Sequence, residues 1–229
     1  MTGDSAKRAA AVAAVERVRD GMRLGLGTGS TVAEFLEVLA DADLDVAGVP
    51  TSRATADHAR QRGIRLLDPD DVERLDLAVD GADELDATLC LTKGGGGALL
   101  REKVVATMAD HFVVIATRDK LVERLGDRFP LPLEVVPFAL APVRRLLERR
   151  GYEVTARDNG GFRTDNGNAI LNCRLPGGID DPGAEDLALS CIPGVVCCGL
   201  FVGLADTALL GDESGTVVEL TAADRVPVD

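Results

Sequence analysis

The 229-residue chain has no tryptophan, one tyrosine and only 3% aromatic residues, and its 38 acidic side chains outnumber 25 basic ones, for a net charge of −13. Nucleic-acid surfaces need clustered Lys and Arg to replace counterions, and single strands also need aromatic side chains on which bases stack. The composition therefore argues against a nucleic acid as the partner.

The chain also has few of the residues that metal sites and redox sites require. The chain has only two histidines, His58 and His111, and its five cysteines show no CxxC spacing. The cysteines stand in apolar surroundings and are predicted to be buried thiols; they are Cys90, Cys173, Cys191, Cys197 and Cys198. Chemistry in this chain is therefore expected to rely on carboxylates and lysines.

Lysine is scarce as well, since only four of the 25 basic residues are lysines. A GC-rich genome and adaptation to high salt, where an acidic surface is well screened, both explain this bias, and both stay open. Under either explanation a retained lysine is a candidate for a specific role. The four are Lys7, Lys93, Lys103 and Lys120.

No apolar run approaches the roughly 18 residues that a membrane span requires. Asp4, Glu16 and Arg17 interrupt the segment that would be apolar in a leader peptide. Hydrophobic residues make up 46% of the chain and charged residues 28%, which is typical of a globular protein with a core. We expect a cytoplasmic protein of one large domain or two small ones, with no membrane partner.

Short apolar strands alternate with helices over the first 120 residues or so. Strands are predicted at 22–26, 46–50, 64–67, 75–79, 89–92 and 112–116, and helices at 5–20, 31–40, 53–62 and 98–110. This alternation predicts an α/β fold, a Rossmann-like and mostly parallel sheet with helices on both faces. Such sheets bind ligands beyond the carboxyl ends of their strands.

A cluster of prolines from Pro130 to Pro142 marks a domain boundary. Beyond it the segments 133–138, 143–150, 152–157, a hairpin with Asn166-Gly167 in its turn, 183–190 and 194–202 read strand, helix, strand, strand, helix, strand. That order predicts a smaller, ferredoxin-like α+β domain. Strands at 204–210 and 216–220 are predicted to return to the first sheet, so the expected domains are 1–130 with 204–229, and 131–203.

The first candidate motif is the turn Gly25-Leu-Gly-Thr-Gly-Ser-Thr31 between a strand and a helix. Its glycines expose backbone N–H groups, the helix adds its positive end, and Ser30 and Thr31 add hydroxyl donors, which together suit a phosphate. The spacing differs from GxGxxG, and the lysine of GxxxxGK[ST] is absent. A tight turn without a ligand therefore stays open.

The second motif, Leu77-Ala-Val-Asp80-Gly-Ala-Asp83-Glu84, places two carboxylates at the end of a buried strand. There they would face the ligand crevice of the sheet. An Asx-type turn with solvated acids and a magnesium site of the carboxylate type stay open as alternatives.

The third motif has four consecutive glycines, Gly94 to Gly97, after Lys93 and before a helix that carries Glu102. Glycines permit close approach of the backbone to a ligand, and Glu102 falls a little over one turn from the helix start. The alternative is a flexible linker, although linkers seldom connect a buried strand to an amphipathic helix.

The three motifs are expected at one edge of one parallel sheet, where they offer acids, a lysine and an anion loop. A carboxylate can take a proton alpha to a carbonyl, and an ammonium can stabilise the enediolate oxygen. A second acid can open a sugar ring or move hydroxyl protons. The motifs therefore predict proton transfer on a phosphorylated carbonyl compound, with no redox cofactor.

These motifs, with PLPLEVVP at 130–137, TDNGNAIL at 164–171 and IPGVVCCGLF at 192–201, resemble ribose-5-phosphate isomerase of the A type over nearly the whole chain. The resemblance implies interconversion of ribose 5-phosphate and ribulose 5-phosphate in the non-oxidative pentose phosphate pathway. It also implies a cis-enediol mechanism without a metal or other cofactor, and a homodimer or homotetramer. Pro50 to Thr55 and Cys197-Cys198 depart from the family pattern and leave substrate preference and oligomer contacts open.

The resemblance implies a role for each residue of the motifs. Glu102 would be the general base between C2 and C1, Lys93 would stabilise the enediolate oxygen, and Asp80 and Asp83 would assist ring opening and hold hydroxyls. Lys103 is expected on a helix surface. The other residues implied to bind substrate are Thr28, Gly29, Ser30, Thr31, Gly81, Ala82, Gly94, Gly95 and Gly96, with Lys7 and Lys120 near the phosphate.

Two other functions on the same fold stay open. One is a non-catalytic sugar-phosphate sensor, which would need no base such as Glu102. The other is a transferase or deaminase, which would place its key glutamate or histidine elsewhere. The domain at 131–203 is expected to serve as a lid or in oligomerisation.

Overall fold

Six α-helices and 14 strands are present in residues 2–221, the part of the chain that the computed structural model describes. The helices are α1 (Thr2–Val15), α2 (Ser30–Asp41), α3 (Arg53–Gln61), α4 (Leu99–Met108), α5 (Leu140–Arg149) and α6 (Pro182–Ser190). The strands are β1 (Arg23–Leu26), β2 (Ala47–Pro50), β3 (Arg65–Leu66), β4 (Leu77–Asp80), β5 (Glu84–Leu85), β6 (Leu91–Thr92), β7 (Phe112–Thr117), β8 (Leu131–Val135), β9 (Glu153–Ala156), β10 (Ala169–Arg174), β11 (Val195–Cys198), β12 (Leu200–Phe201), β13 (Thr207–Gly211) and β14 (Val217–Thr221). Within this range, no helix has the length and apolar character needed to cross a bilayer.

Seven strands form the main sheet, in the order β14-β13-β7-β4-β1-β2-β3. Every neighbouring pair is parallel except β13 and β14 at one edge. Helices α1, α2 and α3 cover one face around Phe35, and α4 covers part of the other face around Val105 and Phe112. The predicted parallel α/β sheet is confirmed, including the return of the last two strands to it.

Four strands form a second, antiparallel sheet in the order β11-β8-β10-β9. Along β8 the side chains of Leu131, Leu133 and Val135 enter a core that also includes Val143 and Leu147 of α5 and Leu189 of α6. The chain order strand, helix, strand, strand, helix, strand and this strand arrangement are those of the predicted ferredoxin-like unit.

Two predicted strands were placed wrongly. The segment predicted at 89–92 is a shorter strand, β6, and it pairs with β5 and β12 in a three-stranded antiparallel sheet rather than in the parallel sheet. The strand predicted at 194–202 is divided at Gly199 into β11 and β12, which belong to different sheets. A short apolar run reveals that a strand is buried but not which strands it pairs with.

The first helix also lies earlier than predicted, at Thr2–Val15 rather than at 5–20. After Val15 the backbone closes tighter turns, in which the Arg17 and Val18 N–H groups bond to the carbonyls of Ala14 and Val15. The other elements begin and end within a few residues of their predicted positions.

A buried carboxylate fixes the connection between the main sheet and the four-stranded sheet. Glu84, on β5, accepts hydrogen bonds from the backbone N–H groups of Gly126 (2.7 Å), Arg128 (2.7 Å) and Phe129 (2.8 Å). The segment that leads into β8 is thereby tied to the residue that follows Asp83.

The cysteines are free thiols, but the prediction that all five are buried is wrong for two of them. Cys90 is partly buried and Cys191 is exposed. Burial raises the pKa of Cys173 to about 12 and that of Cys197 to about 11, and it raises the pKa of Cys198 as well. These three thiols are therefore protonated and unreactive at neutral pH.

Candidate active site

The loop after β1 is shaped by its contact with the end of β4. A Cβ atom on Gly27 would lie 2.2 Å from Cγ of Asp80, so only glycine fits there. The next residue, Thr28, donates its backbone N–H to Oδ1 of Asp80 at 3.0 Å. Gly29 has φ of 126°, a conformation that glycine adopts at little cost, and α2 begins directly after it.

The side chain of Thr28 belongs to a cluster of four hydroxyl groups that the sequence did not predict. Its Oγ1 lies 2.8 Å from Thr51 Oγ1, 2.9 Å from Ser52 Oγ and 3.1 Å from Thr55 Oγ1. Thr55 in turn donates to the carbonyl of Gly27 at 2.8 Å. The segment that departs from the family pattern therefore holds the glycine-rich turn in place.

Asp80 and Lys93 form a buried ion pair below this loop. Nζ of Lys93 lies 3.0 Å from Oδ2 of Asp80, donates to the carbonyl of Gly81 at 2.7 Å, and lies 3.5 Å from Oε2 of Glu102. Oδ1 of Asp80 accepts the N–H of Gly81 at 2.7 Å. One ammonium group is thus shared by two carboxylates, each only 3–4% exposed, as is Lys93 itself.

Glu102 lies in the first turn of α4, and its Oε2 accepts no hydrogen bond from any described residue. Burial, together with the charges of Asp80 and Asp83 and against the opposing effect of Lys93, raises the pKa of Glu102 to about 8. A carboxylate with this pKa is a stronger base than an exposed glutamate.

Burial also shifts the pKa values of the neighbouring groups. It raises the pKa of Asp80, although Lys93 and two backbone N–H groups act in the opposite direction. Burial alone would lower the pKa of Lys93, but Asp80 and Glu102 outweigh it and raise that pKa. Lys93 is therefore a cation throughout the neutral range.

Asp83 is held by the glycine loop, which we define as Gly94 to Gly97. The N–H of Gly95 donates to Oδ2 of Asp83 at 2.8 Å, and a Cβ on Gly95 would lie 2.5 Å from Oδ1 of the same carboxylate. Gly94 and Gly97 have φ of 104° and 83°. Backbone conformation or close contact thus requires glycine at three of the four positions, and the loop is an ordered part of the site rather than a linker.

A cavity of about 250 Å³ joins these elements. Its lining includes every residue predicted to bind substrate or to act in catalysis except Asp80, which lies below Lys93 and contacts it. The lining residues are Lys7, Thr28, Gly29, Ser30, Thr31, Gly81, Ala82, Asp83, Lys93, Gly94, Gly95, Gly96, Glu102, Ala116, Thr117 and Lys120.

Two lining residues were missed by the sequence reasoning. Ala116 and Thr117 end β7, the neighbour of β4 in the main sheet. The rule that ligands bind beyond the carboxyl ends of parallel strands applies to β7 as well, so the signal was present.

The cavity combines negative and positive regions. Glu102 and Asp83 line it together with the cations Lys7 and Lys120 and with the first turn of α2, whose N-terminus has no side-chain cap. Uncapped N–H groups and ammonium groups suit an anion such as a phosphate. Lys103 lies outside this lining; it is partly buried, 3.3 Å from Asp186.

Among residues 2–221, no group of three or more His, Cys, Asp and Glu side chains is arranged to hold a metal ion. The chemistry available from the described side chains is proton transfer by Glu102 and Asp83 beside a fixed cation.

Comparison with known proteins identifies close relatives. The family model for ribose 5-phosphate isomerase A (phosphoriboisomerase A) matches residues 47–215. The chain is 49% identical over 227 residues to ribose-5-phosphate isomerase A of Rhodopseudomonas palustris strain HaA2, covering 94% of this chain and 97% of the relative. It is 50% identical over 236 residues to the protein of that name from Bradyrhizobium diazoefficiens, covering 96% and 97%.

Solved structures are similar over the same extent. Ribose 5-phosphate isomerase A of Methanocaldococcus jannaschii superposes with a TM-score of 0.87 at 41% identity, covering 94% of this chain and 97% of the other. A D-ribose-5-phosphate isomerase in complex with phospho-erythronic acid superposes with a TM-score of 0.92 at 36% identity, covering 96% and 100%.

Proposed function

The chain belongs to the ribose 5-phosphate isomerase A family, and from this premise we propose that it is an aldose–ketose isomerase that interconverts D-ribose 5-phosphate and D-ribulose 5-phosphate. The observation that carries the proposal is the buried carboxylate of Glu102, which lines the cavity 3.5 Å from the ammonium group of Lys93. A binding protein would gain nothing from a buried carboxylate with a raised pKa.

In this proposal Glu102 removes the proton from C2 of the open-chain aldose and returns it to C1, while the proton of the C2 hydroxyl passes to the C1 oxygen, so that C1 becomes a CH₂OH group and C2 a ketone. The cis-enediolate formed between the two steps carries negative charge on oxygen, and Lys93 stabilises that charge because it remains a cation held by Asp80. Asp83 is placed at the cavity to move a hydroxyl proton when the sugar ring opens.

The phosphate group is assigned to the cationic part of the cavity lining, which includes Lys7, Lys120 and the first turn of α2. Its charge would then lie away from Asp80, which is buried below Lys93. The family relative solved with phospho-erythronic acid, a phosphorylated sugar acid, supports a sugar phosphate as the ligand class.

The roles of the two lobes, residues 1–130 with 204–229 as the first and residues 131–203 as the second, belong to the same proposal. Residues 1–130 with 204–229 form the catalytic domain, although Met1 and residues 222–229 lie outside the described residues. Residues 131–203 form a second domain for oligomerisation or closure of the cavity, and the protein is a homodimer or homotetramer. Five free thiols support the cytoplasm as its location.

Proton NMR of ribose 5-phosphate in D₂O tests the reaction. With EDTA present, and with molar KCl in a parallel sample, we expect conversion to ribulose 5-phosphate and exchange of the transferred proton with solvent. The sensor alternative predicts that the folded protein binds the sugar phosphate without converting it under either salt condition. A different product would support a transferase or deaminase.

The pH dependence of kcat/KM tests the base. Because the pKa of Glu102 is raised to about 8, the fraction of enzyme with an ionised base falls about tenfold for each pH unit below that value. We expect kcat/KM to rise with pH and to level off above about pH 8. The substrate phosphate changes charge near pH 6, so the tenfold change per pH unit is to be measured between about pH 6.5 and pH 8. A profile that stays flat down to pH 5 would contradict the raised pKa.

A further inference from the structure

Arg157 crosses from the second lobe to the glycine loop. It follows β9, and its Nη1 lies 3.1 Å from the carbonyl oxygen of Gly95 and 3.3 Å from that of Gly94. Its Nη2 donates to the Gly94 carbonyl at 3.3 Å and to Oδ1 of Asn172 at 2.9 Å. The guanidinium group also lies over the ring of Phe162, 5.2 Å from its centre. One side chain thus bonds to two consecutive carbonyls of the loop.

The backbone directly after Arg157 has an unusual conformation. The three residues that follow it, Asp158, Asn159 and Gly160, all have positive φ, at 49°, 50° and 87°. Asp, Asn and Gly are the residue types that tolerate this conformation best. Asn172 and Phe162 then hold the guanidinium group from its other sides.

The geometry of a trans peptide makes these contacts relevant to the cavity. In a trans peptide the carbonyl and the following N–H point in opposite directions, and the described chain has no cis peptide bond. Arg157 holds the carbonyl of Gly94, and the N–H of Gly95 on the other side of that peptide donates to Asp83 at 2.8 Å. Arg157 also holds the carbonyl of Gly95, so the N–H of Gly96 is directed away from the guanidinium group.

We propose that Arg157 is a positioning residue for the isomerisation, which fixes the glycine loop so that the Gly95 N–H holds Asp83. This role rests on the proposed function. Arg157 does not line the cavity, so it acts through the loop and not on the substrate. It also makes the second lobe necessary for a site whose proposed catalytic residues all lie in the first.

Steady-state kinetics of Arg157→Ala test the proposal, with Arg163→Ala as the matched control. Arg163 lies on the same connection, is exposed, and among the described residues bonds only to the carbonyls of Gly160 and Phe162. We expect kcat/KM of Arg157→Ala to fall about 10-fold to 100-fold, the usual cost of losing charge-assisted hydrogen bonds. The control is expected to stay within about twofold of wild type, since surface changes are usually near neutral.

The double variant with Asp83→Ala, which removes the acceptor of the Gly95 N–H, separates this role from a merely structural one. If Arg157 acts through Asp83, Arg157→Ala costs less than about threefold once Asp83 is already replaced, because the two effects are not additive. Loss of the same factor in both backgrounds would overturn the proposal, as would kcat/KM of Arg157→Ala within twofold of wild type.

Arg157→Lys covers the case in which the alanine variant unfolds at the assay temperature. A single ammonium group cannot hold both carbonyls in the fork geometry of a guanidinium group, so a loss of about threefold or more is expected. A kcat/KM of Arg157→Lys equal to that of wild type would overturn the proposal. An inactive wild type would overturn the proposed function, and this role with it, whereas an active wild type and unaffected Arg157 variants would overturn the role alone.

Discussion

Glu102→Gln is expected to lower kcat by roughly 10² to 10⁴ while the protein keeps its fold. The amide has nearly the shape of the carboxylate, so it occupies the same buried position in α4, but it cannot accept the proton that the reaction transfers. The matching measurement is single-turnover or steady-state isomerisation at pH 8.5, above the raised pKa of Glu102.

The stability of Glu102→Gln provides an internal control. The pKa of Glu102 is raised from 4.5 to about 8 in the folded state, so between these pH values the folded protein binds more protons at this group than the unfolded chain does. The contribution of Glu102 to stability therefore decreases as pH rises through that window. Since glutamine carries no such dependence, Tm of the variant relative to wild type is expected to be higher at pH 9 than at pH 4.5.

A second glutamate serves as the matched variant. Glu123 is exposed and lies outside the cavity lining, so Glu123→Gln is expected to leave kcat unchanged. Wild-type turnover in Glu102→Gln, with the fold intact, would assign the proton transfer to another group, and Asp83 would be the next candidate.

The fold and the identity of the motifs were predictable because both depend on local patterns. Alternating apolar segments indicate parallel strands and helices, and a strand that ends in Asp80 places that carboxylate at the ligand edge of the sheet. The pairing of β6 was not predictable, because a strand of two residues carries no information about its partners. Lys93 therefore enters the site from the three-stranded sheet, not from the parallel one.

The sequence shows which residue types are present but not which buried groups neutralise one another. The pairing of Lys93 with Asp80 crosses 13 residues, and the hydroxyl cluster around Thr28 joins segments that are 23 or more residues apart. Arg157 meets the glycine loop across 62 residues or more. Such contacts depend on tertiary packing, which periodicity and spacing do not encode.

Lys93→Met is expected to have the largest effect on stability, because it removes the cation shared by two buried carboxylates. Methionine fills nearly the same volume, but Asp80 and Glu102 then face each other without a counter-ion. Breaking a buried ion pair by removing one partner costs roughly 3–5 kcal/mol in the free energy of unfolding. Isomerase activity is expected to be lost as well, since the enediolate oxygen has no cation beside it.

The pH dependence of this destabilisation distinguishes lost charge from lost packing. In wild type the pKa of Lys93 is raised, so its stabilising contribution is fully present below pH 10.5 and is lost only above that value. In Lys93→Met the two carboxylates lose the group that lowers their pKa, so they take up protons as the pH falls and the penalty shrinks. Urea unfolding at pH 6 and pH 9 should therefore show the larger loss at pH 9.

Lys103→Met is the control for that series. Lys103 pairs with Asp186 at 3.3 Å, with both side chains 20–30% exposed, so its removal is expected to cost about 1 kcal/mol or less, with little change between the two pH values. Its cation also lies 5.0 Å from the centre of the Phe201 ring, where Lys93 lies at 5.5 Å. Both variants lose the contact with the Phe201 ring. They differ in the ion pairs that they lose, since the carboxylates beside Lys93 are buried and the carboxylate beside Lys103 is partly exposed. An equal loss of stability at pH 6 and pH 9 in Lys93→Met would mean that packing, and not the buried charge, explains why a lysine stands at this position.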